Sequence, residues 1–162
     1  MKPVVIVMGV TASGKTTLAR TLAERLGWPF QEGDAMHPPA NIEKLSAGIA
    51  LTDADRAPWL AAIGRWIDER AAADEAGTVS CSALKRRYRD DLRRGRPAVR
   101  FVLLAGSAEA LARRLAERQG HFMSTSLLDS QLATLEMPAA DEHVLVLPIE
   151  VPLEQKCDRV VA

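Results

Sequence analysis

The chain has 162 residues, about one domain's length and enough to bury one core without disulfide or metal staples. Hydrophobic residues make up 48% and charged residues 26%, which excludes disorder, collagen and coiled coil as descriptions of the whole chain. Lys plus Arg and Asp plus Glu number 21 each, so the formal charge is zero. That balance argues against a dedicated nucleic-acid binder and leaves room for a local basic patch.

Val4–Met8 is a short, continuous apolar run, the pattern of a strand buried on both faces. Lys15 to Leu26 reads as a helix with Gly27 as its C-cap. A second strand falls around Phe30, and Ala40 to Leu45 suggests a short helix stopped near Gly48. Thr52 to Ala73 is a longer helix, with Trp59, Leu60, Ile63, Trp66 and Ile67 on one face. Thr52 and Asp55 resemble a capping box, with Pro58 as a rival marker of the first turn. The two Trp on that stripe are expected in the core.

Thr78 to Cys81 is a third strand, and Leu84 to Arg94 a basic helix ended by Gly95 and Pro97. Val99 to Ala105 is a fourth strand, and Ala108 to Arg118 a helix ended by Gly120. Val144 to Val151 is a fifth strand, broken by Pro148 and so placed at an edge. A short helix follows Pro152. Strands alternating with helices predict an α/β fold with a five-stranded, mainly parallel sheet flanked by helices, in a single domain over residues 1–162. Ligands then bind at the carboxyl ends of the strands.

Cys81 and Cys157 fit neither a disulfide scaffold nor a metal motif, and read as reduced, buried thiols in a cytoplasmic protein. The longest apolar stretch, residues 3–10, falls far short of the roughly 20 residues a transmembrane helix needs, so no membrane partner is expected. It also fails as a signal peptide, since cleavage near Ala12 would cut the most informative motif in the chain.

That motif is Gly9-Val10-Thr11-Ala12-Ser13-Gly14-Lys15-Thr16, which matches GxxxxGK[ST] at every fixed position. It follows a strand and opens a helix, as the motif requires. Its glycines let successive N–H groups point at phosphate oxygens, and the helix start adds donors and partial positive charge. Lys15 sets an ammonium beside the terminal phosphates. Thr16 offers a hydroxyl to Mg²⁺, with Thr17 beside it. The loop therefore marks a nucleoside triphosphate site without naming the acceptor.

Four chemistries compete: a switch GTPase, a motor-type ATPase, a small-molecule kinase, and a non-catalytic nucleotide-binding regulator. No guanine-reading NKxD is present. Asp74-Glu75-Ala76-Gly77 spells DxxG but follows no apolar strand. No apolar strand ends in the metal-holding Asp of a motor ATPase. Asp34, in Gly33-Asp34-Ala35-Met36-His37-Pro38, falls at the end of the second strand. A carboxylate there is placed to hold an acceptor hydroxyl, take its proton and contact the Mg²⁺ shell. His37, before two prolines, reads as a loop cap.

Asp34 with His37, Asn41-Ile42-Glu43-Lys44-Leu45, Gly48 and residues 51–60 together resemble the gluconate kinase family. So do Cys81-Ser82-Ala83-Leu84-Lys85 with Tyr88-Arg89-Asp90. His121-Phe122-Met123, residues 127–131 and Leu135-Glu136-Met137-Pro138 continue the likeness, which fades after Pro138. The resemblance implies a P-loop kinase fold and transfer of the γ-phosphoryl of ATP to the 6-hydroxyl of D-gluconate. It also implies a homodimer. The family loop carries Ser and Gly where Thr11 and Ala12 stand, a change tolerable if Ala12 has negative φ.

A sugar acid needs cations for its carboxylate. Lys85, Arg89 and Arg56 are expected near gluconate, with Lys44, His121 and Gln131 as weaker candidates from the family blocks. Arg114 or Arg118 is expected to pack on adenine or clamp the phosphoryl group, in a lid spanning roughly residues 113–131. Another small-molecule kinase of the same fold remains an alternative. A shikimate kinase would carry a Gly-Gly-Gly loop, and this chain has no Gly-Gly pair.

Overall fold

The computed structural model describes residues 1–118 and 125–162. Strands β1 (Val4–Met8), β2 (Phe30–Glu32), β3 (Gly77–Ser80), β4 (Val99–Ala105) and β5 (Leu145–Pro148) form one sheet. Their order is β2-β3-β1-β4-β5, with every neighbouring pair parallel. All five β1 residues are buried, because this strand is central and covered on both faces.

The period of two along β1 divides the interior. Val4, Ile6 and Met8 point into one core, with Trp59, Ile63 and Ile67 of α3 (Asp53–Ala72) and Tyr88 and Leu92 of α4 (Arg86–Arg93). Val5 and Val7 point into the other. There they meet Leu18 and Leu22 of α1 (Lys15–Leu26), Leu111 and Leu115 of α5 (Ala108–Glu117), and Leu128 of α6 (Thr125–Thr134). Cys157 of α7 (Leu153–Val161) closes that face. Cys81 and Cys157 are free and buried. Among the described residues no helix is long and apolar enough to cross a membrane.

Thr52 caps α3: its hydroxyl accepts from the Asp55 N–H at 3.1 Å, and the Asp55 carboxylate accepts from the Thr52 N–H at 2.9 Å. The reciprocal pair sets the helix start, and Pro58 lies inside the helix instead of marking its first turn. The basic helix starts at Arg86, not Leu84, because Lys85 has extended backbone, with φ −100° and ψ 144°. Helix α6 overlaps the stretch read as lid and runs past its end; Leu127 and Leu128 anchor it in the interior. Its apolar residues are adjacent in sequence, so no helical period announces it. Between β2 and α2 (Pro39–Ser46), a 3-10 turn over Gly33–Met36 carries Asp34. Glycine is required at its start, since a Cβ on Gly33 would lie 1.8 Å from the Ser80 carbonyl oxygen.

Candidate active site

Residues 9–16 form the turn from β1 into α1, at the carboxyl edge of the sheet. Gly9 has a φ of 149°, and a Cβ there would lie 2.7 Å from Ser13 Oγ and 3.0 Å from the Leu104 carbonyl. The loop curls too tightly for a side chain at that point. Ser13 Oγ is buried with no hydrogen-bond partner among the described residues. Such an orphan inside a ring of loop amides fits an anionic ligand. Ala12 has a φ of 67°, so the condition under which alanine would be tolerated without strain is not met. A β-carbon sits in the left-handed region here, at a strain of about 1–2 kcal/mol.

Lys15 donates to the Val10 carbonyl at 3.0 Å across the loop. Burial pulls its ammonium below the usual lysine range, against the upward pull of Asp34 and Glu32. Thr16 donates its hydroxyl to Glu32 Oε2 at 2.5 Å, and Ser80 donates to Glu32 Oε1 at 2.5 Å. The Gly33 N–H donates to Ser80 Oγ at 3.1 Å. Thus the ends of β2 and β3 and the loop's hydroxyl meet on one carboxylate. Sequence reasoning passed over Glu32; its place at a strand end one residue before Gly33-Asp34 was the available signal.

Beside the loop lies a cavity of about 40 Å³. Its polar wall includes Lys15, Asp34, His37, Arg56, Ser82 and Gln131, and its apolar wall includes Trp59, Leu84 and Leu127. Gln131 Oε1 accepts from the Thr11 N–H at 2.6 Å, tying α6 to the loop. Arg56 donates to the Tyr88 hydroxyl at 3.0 Å. His37 stacks on Trp59 at 4.3 Å between centroids, so it belongs to the cavity wall as well as to its loop. Trp59 serves both the core and this wall. Burial holds the His37 imidazole below its ordinary pKa; Asp34 opposes that effect and Arg56 adds to it.

The other expected cations do not line this cavity. Lys44 pairs with Asp55 at 2.8 Å. Lys85 pairs at 2.9 Å with Asp53, which also receives the Tyr88 hydroxyl. Those two donors hold the Asp53 carboxyl at about 2. Arg89 is the clearest departure. Its side chain is 0% exposed, with Nε 2.7 Å from Glu142 Oε1 and Nη2 3.2 Å from Oε2. Nη1 donates to the Ala83 and Leu84 carbonyls. A guanidinium so enclosed makes four hydrogen bonds inside the protein and presents no exposed surface to a substrate. His121 lies outside the described residues.

On the far side of the loop, Ala12, Gly14, Thr17, Arg114, Arg118 and Lys156 line a groove of about 310 Å³. Arg114 Nη2 donates to the Ile149 carbonyl at 2.6 Å. Burial and the Arg114 cation lower the Lys156 ammonium. Lys156 lies beyond the family-like blocks, where sequence offered no hint.

A family profile described as an AAA domain matches residues 4–138. The chain is 57% identical over 140 residues to a gluconokinase of Gluconobacter oxydans, covering 86% of this chain and 79% of that protein. It is 43% identical over 150 residues to the thermoresistant gluconokinase of Escherichia coli, covering 92% and 86%. A crystal structure of a gluconokinase from Sinorhizobium meliloti superposes with a TM-score of 0.86 at 50% identity, covering 96% of this chain and 87% of that one.

Proposed function

The chain belongs to the gluconokinase family, and we propose that it transfers the γ-phosphoryl group of ATP to the 6-hydroxyl of D-gluconate, giving 6-phospho-D-gluconate and ADP. The observation that carries this reading is one shared cavity: Lys15 of the phosphate loop and Asp34 of the 3-10 turn line it together. Nucleotide phosphates on one side and an acceptor hydroxyl on the other thereby meet.

Loop amides and the start of α1 grip the phosphates, with Ser13 Oγ as an added donor. Lys15 stabilises the charge of the transferring group. At ~4 Å and an effective dielectric near 20, one such charge pair is worth on the order of 4 kcal/mol before desolvation. Asp34 orients the 6-hydroxyl and takes its proton as the oxygen attacks phosphorus. Arg56 faces the gluconate carboxylate, since it lines the cavity and Lys44, Lys85 and Arg89 do not. Arg114, Arg118 and Lys156 line the outer groove, where adenine would lie.

Among the described residues no cluster of three His, Cys, Asp or Glu forms a metal cage. Thr16, Glu32 and Asp34 supply hard oxygens next to the phosphate loop instead. That set suits Mg²⁺, which is small, keeps waters and is held jointly by protein oxygens and nucleotide phosphates. When bound, Mg²⁺ supplies charge neutralisation at the β- and γ-phosphates.

The cavity opens to solvent beside the phosphate loop, with residues of α6 on its wall. A lid over roughly residues 113–131 on a single kinase domain belongs to the same reading. Leu127 and Gln131 on the cavity wall support it, and residues 119–124 of that stretch lie outside the described ones. A homodimer and a cytoplasmic site complete the reading. Exposed Leu145 and Val146 on edge strand β5 support the first, and two free thiols support the second.

ADP release coupled to a panel of sugar acids, shikimate and nucleoside monophosphates tests the function. Gluconate-dependent ADP formation is expected. Good turnover on another acceptor, with none on gluconate, overturns it.

A further inference from the structure

Asn41 is 3% exposed and its Nδ2 makes two contacts. One is to the Asp55 carbonyl at 2.8 Å, and the other to His37 Nδ1 at 3.1 Å. A peptide carbonyl only accepts, so the Asn41 atom facing it is the amide nitrogen. The second amide hydrogen then points at His37 Nδ1, which must present its lone pair. The ring proton therefore resides on Nε2.

The ring is also fixed in place. It stacks on Trp59 with 14° between planes, and Trp59 Nε1 donates to the Gly33 carbonyl at 2.8 Å. His37 lines the cavity together with Lys15, Asp34, Arg56 and Gln131, and its Nε2 has no partner among the described residues.

We propose that His37, locked as the Nε2–H tautomer by Asn41, donates a hydrogen bond to a hydroxyl of the acceptor and so selects a polyhydroxy acid. This rests on the kinase reading above and names a recognition contact within it. His37 is a substrate-orienting residue and Asn41 a positioning residue. The tautomer also assigns the proton chemistry. A nitrogen that already carries hydrogen takes no proton from the attacking hydroxyl, which leaves that task to Asp34.

Protonating Nδ1 would set two N–H groups against each other. The charged groups lining the cavity beside the ring are Asp34, Arg56 and Lys15, while the Asp55 carboxylate is turned to Lys44 and the Thr52 N–H. Burial and Arg56 favour the neutral ring, and only Asp34 opposes them.

Two measurements test the proposal. The first is two-bond ¹H–¹⁵N NMR on the intact protein, whose three histidines are assignable by single substitution. The expected spectrum shows His37 as Nε2–H from pH 6 to 8, shifting toward Nδ1–H or imidazolium in Asn41→Asp. An Nδ1–H or charged ring in the unsubstituted protein overturns the proposal, whichever acid is the substrate.

The second is steady-state kinetics of His37→Gln and His37→Asn. The Gln amide nitrogen reaches about where Nε2 lies, and the Asn amide does not. His37→Gln is expected within about tenfold of the original kcat/KM for gluconate, and His37→Asn at least about a hundredfold lower, a step the size of a lost hydrogen bond to a charged or buried partner. The KM for ATP is expected to hold in both. One monodeoxy-gluconate is expected to lose nothing further in His37→Asn. Equal losses in both variants, or equal losses on every deoxy acid, sink the proposal. Turnover on a different acid refutes the gluconate assignment alone, and the same variants are then read on that acid.

Discussion

Replacing Arg89 by Met tests whether its cation belongs to the frame or to the substrate. Met preserves the length and removes the charge together with all the donors. Glu142, 1% exposed in its side chain, would retain Arg93 at 2.8 Å and the Ala139 N–H at 3.0 Å. The Ala83 and Leu84 carbonyls would lose their donor. Breaking one side of a buried pair costs about 3–5 kcal/mol.

Part of that cost is visible in the Glu142 carboxyl. Burial pushes the Glu142 carboxyl up, but hydrogen bonds from Arg89, Arg93 and Ala139 outweigh it and hold the group at about 2, against an ordinary 4.5. That gap of about 2.5 units is about 3 kcal/mol of linked stability shared among the three donors, so Arg89 accounts for only part of it. With Arg93 and the Ala139 N–H retained, the lower end of the range for a broken buried pair applies. The expected cost of Arg89→Met is therefore about 3 kcal/mol, or roughly 6–12 °C in Tm for a chain of this length. Arg25→Met is the control. Its pair with Asp158 is 39% and 62% exposed, and its removal is expected to leave Tm nearly unchanged.

Urea and thermal unfolding at pH 7 measure both variants. Because the folded Glu142 carboxyl lies below its unfolded value, its contribution is whole above about pH 4.5 and lost as pH falls toward 2. The gap between Arg89→Met and the original chain should close over that window. Unchanged stability with a raised KM for gluconate would refute this reasoning and return Arg89 to the substrate.

Three further substitutions address the chemistry. Lys15→Ala is expected to lower kcat by about a hundredfold or more without lowering Tm, since burial already disfavours its charge; near-normal turnover contradicts the phosphate assignment. Asp34→Asn should lower kcat by about 10²–10⁴ with gluconate KM changed only a few-fold. A pure rise in KM would make it a binding residue alone. Glu32→Gln should raise the Mg²⁺ concentration for half-maximal rate by about tenfold, a scale typical of lost outer-sphere support; unchanged Mg²⁺ dependence removes Glu32 from the metal's surroundings.

The phosphate loop, the central strand and the order of elements are legible in the residues alone. Each is contiguous or periodic: five apolar residues in a row, a glycine motif between strand and helix, a Trp-bearing stripe at helical spacing. Helix α6 was hidden because its buried Leu127 and Leu128 are neighbours and follow no period. The left-handed turn at Ala12 was hidden because no side chain there announces its φ.

A run of Lys and Arg in the sequence says that cations are present but not where each one points. Folding brings Glu142 to Arg89 across 53 positions and Asp53 to Lys85 across 32, and thereby removes both cations from the cavity wall while leaving Arg56 on it. The sequence by itself determined that this chain grips a polyphosphate, because that grip is made by backbone along one continuous turn. Tertiary structure decided which side chains remain free to meet the acceptor. Charge pairing and hydrogen-bond satisfaction are settled between segments far apart in the chain, and they meet only when the sheet and its helices close.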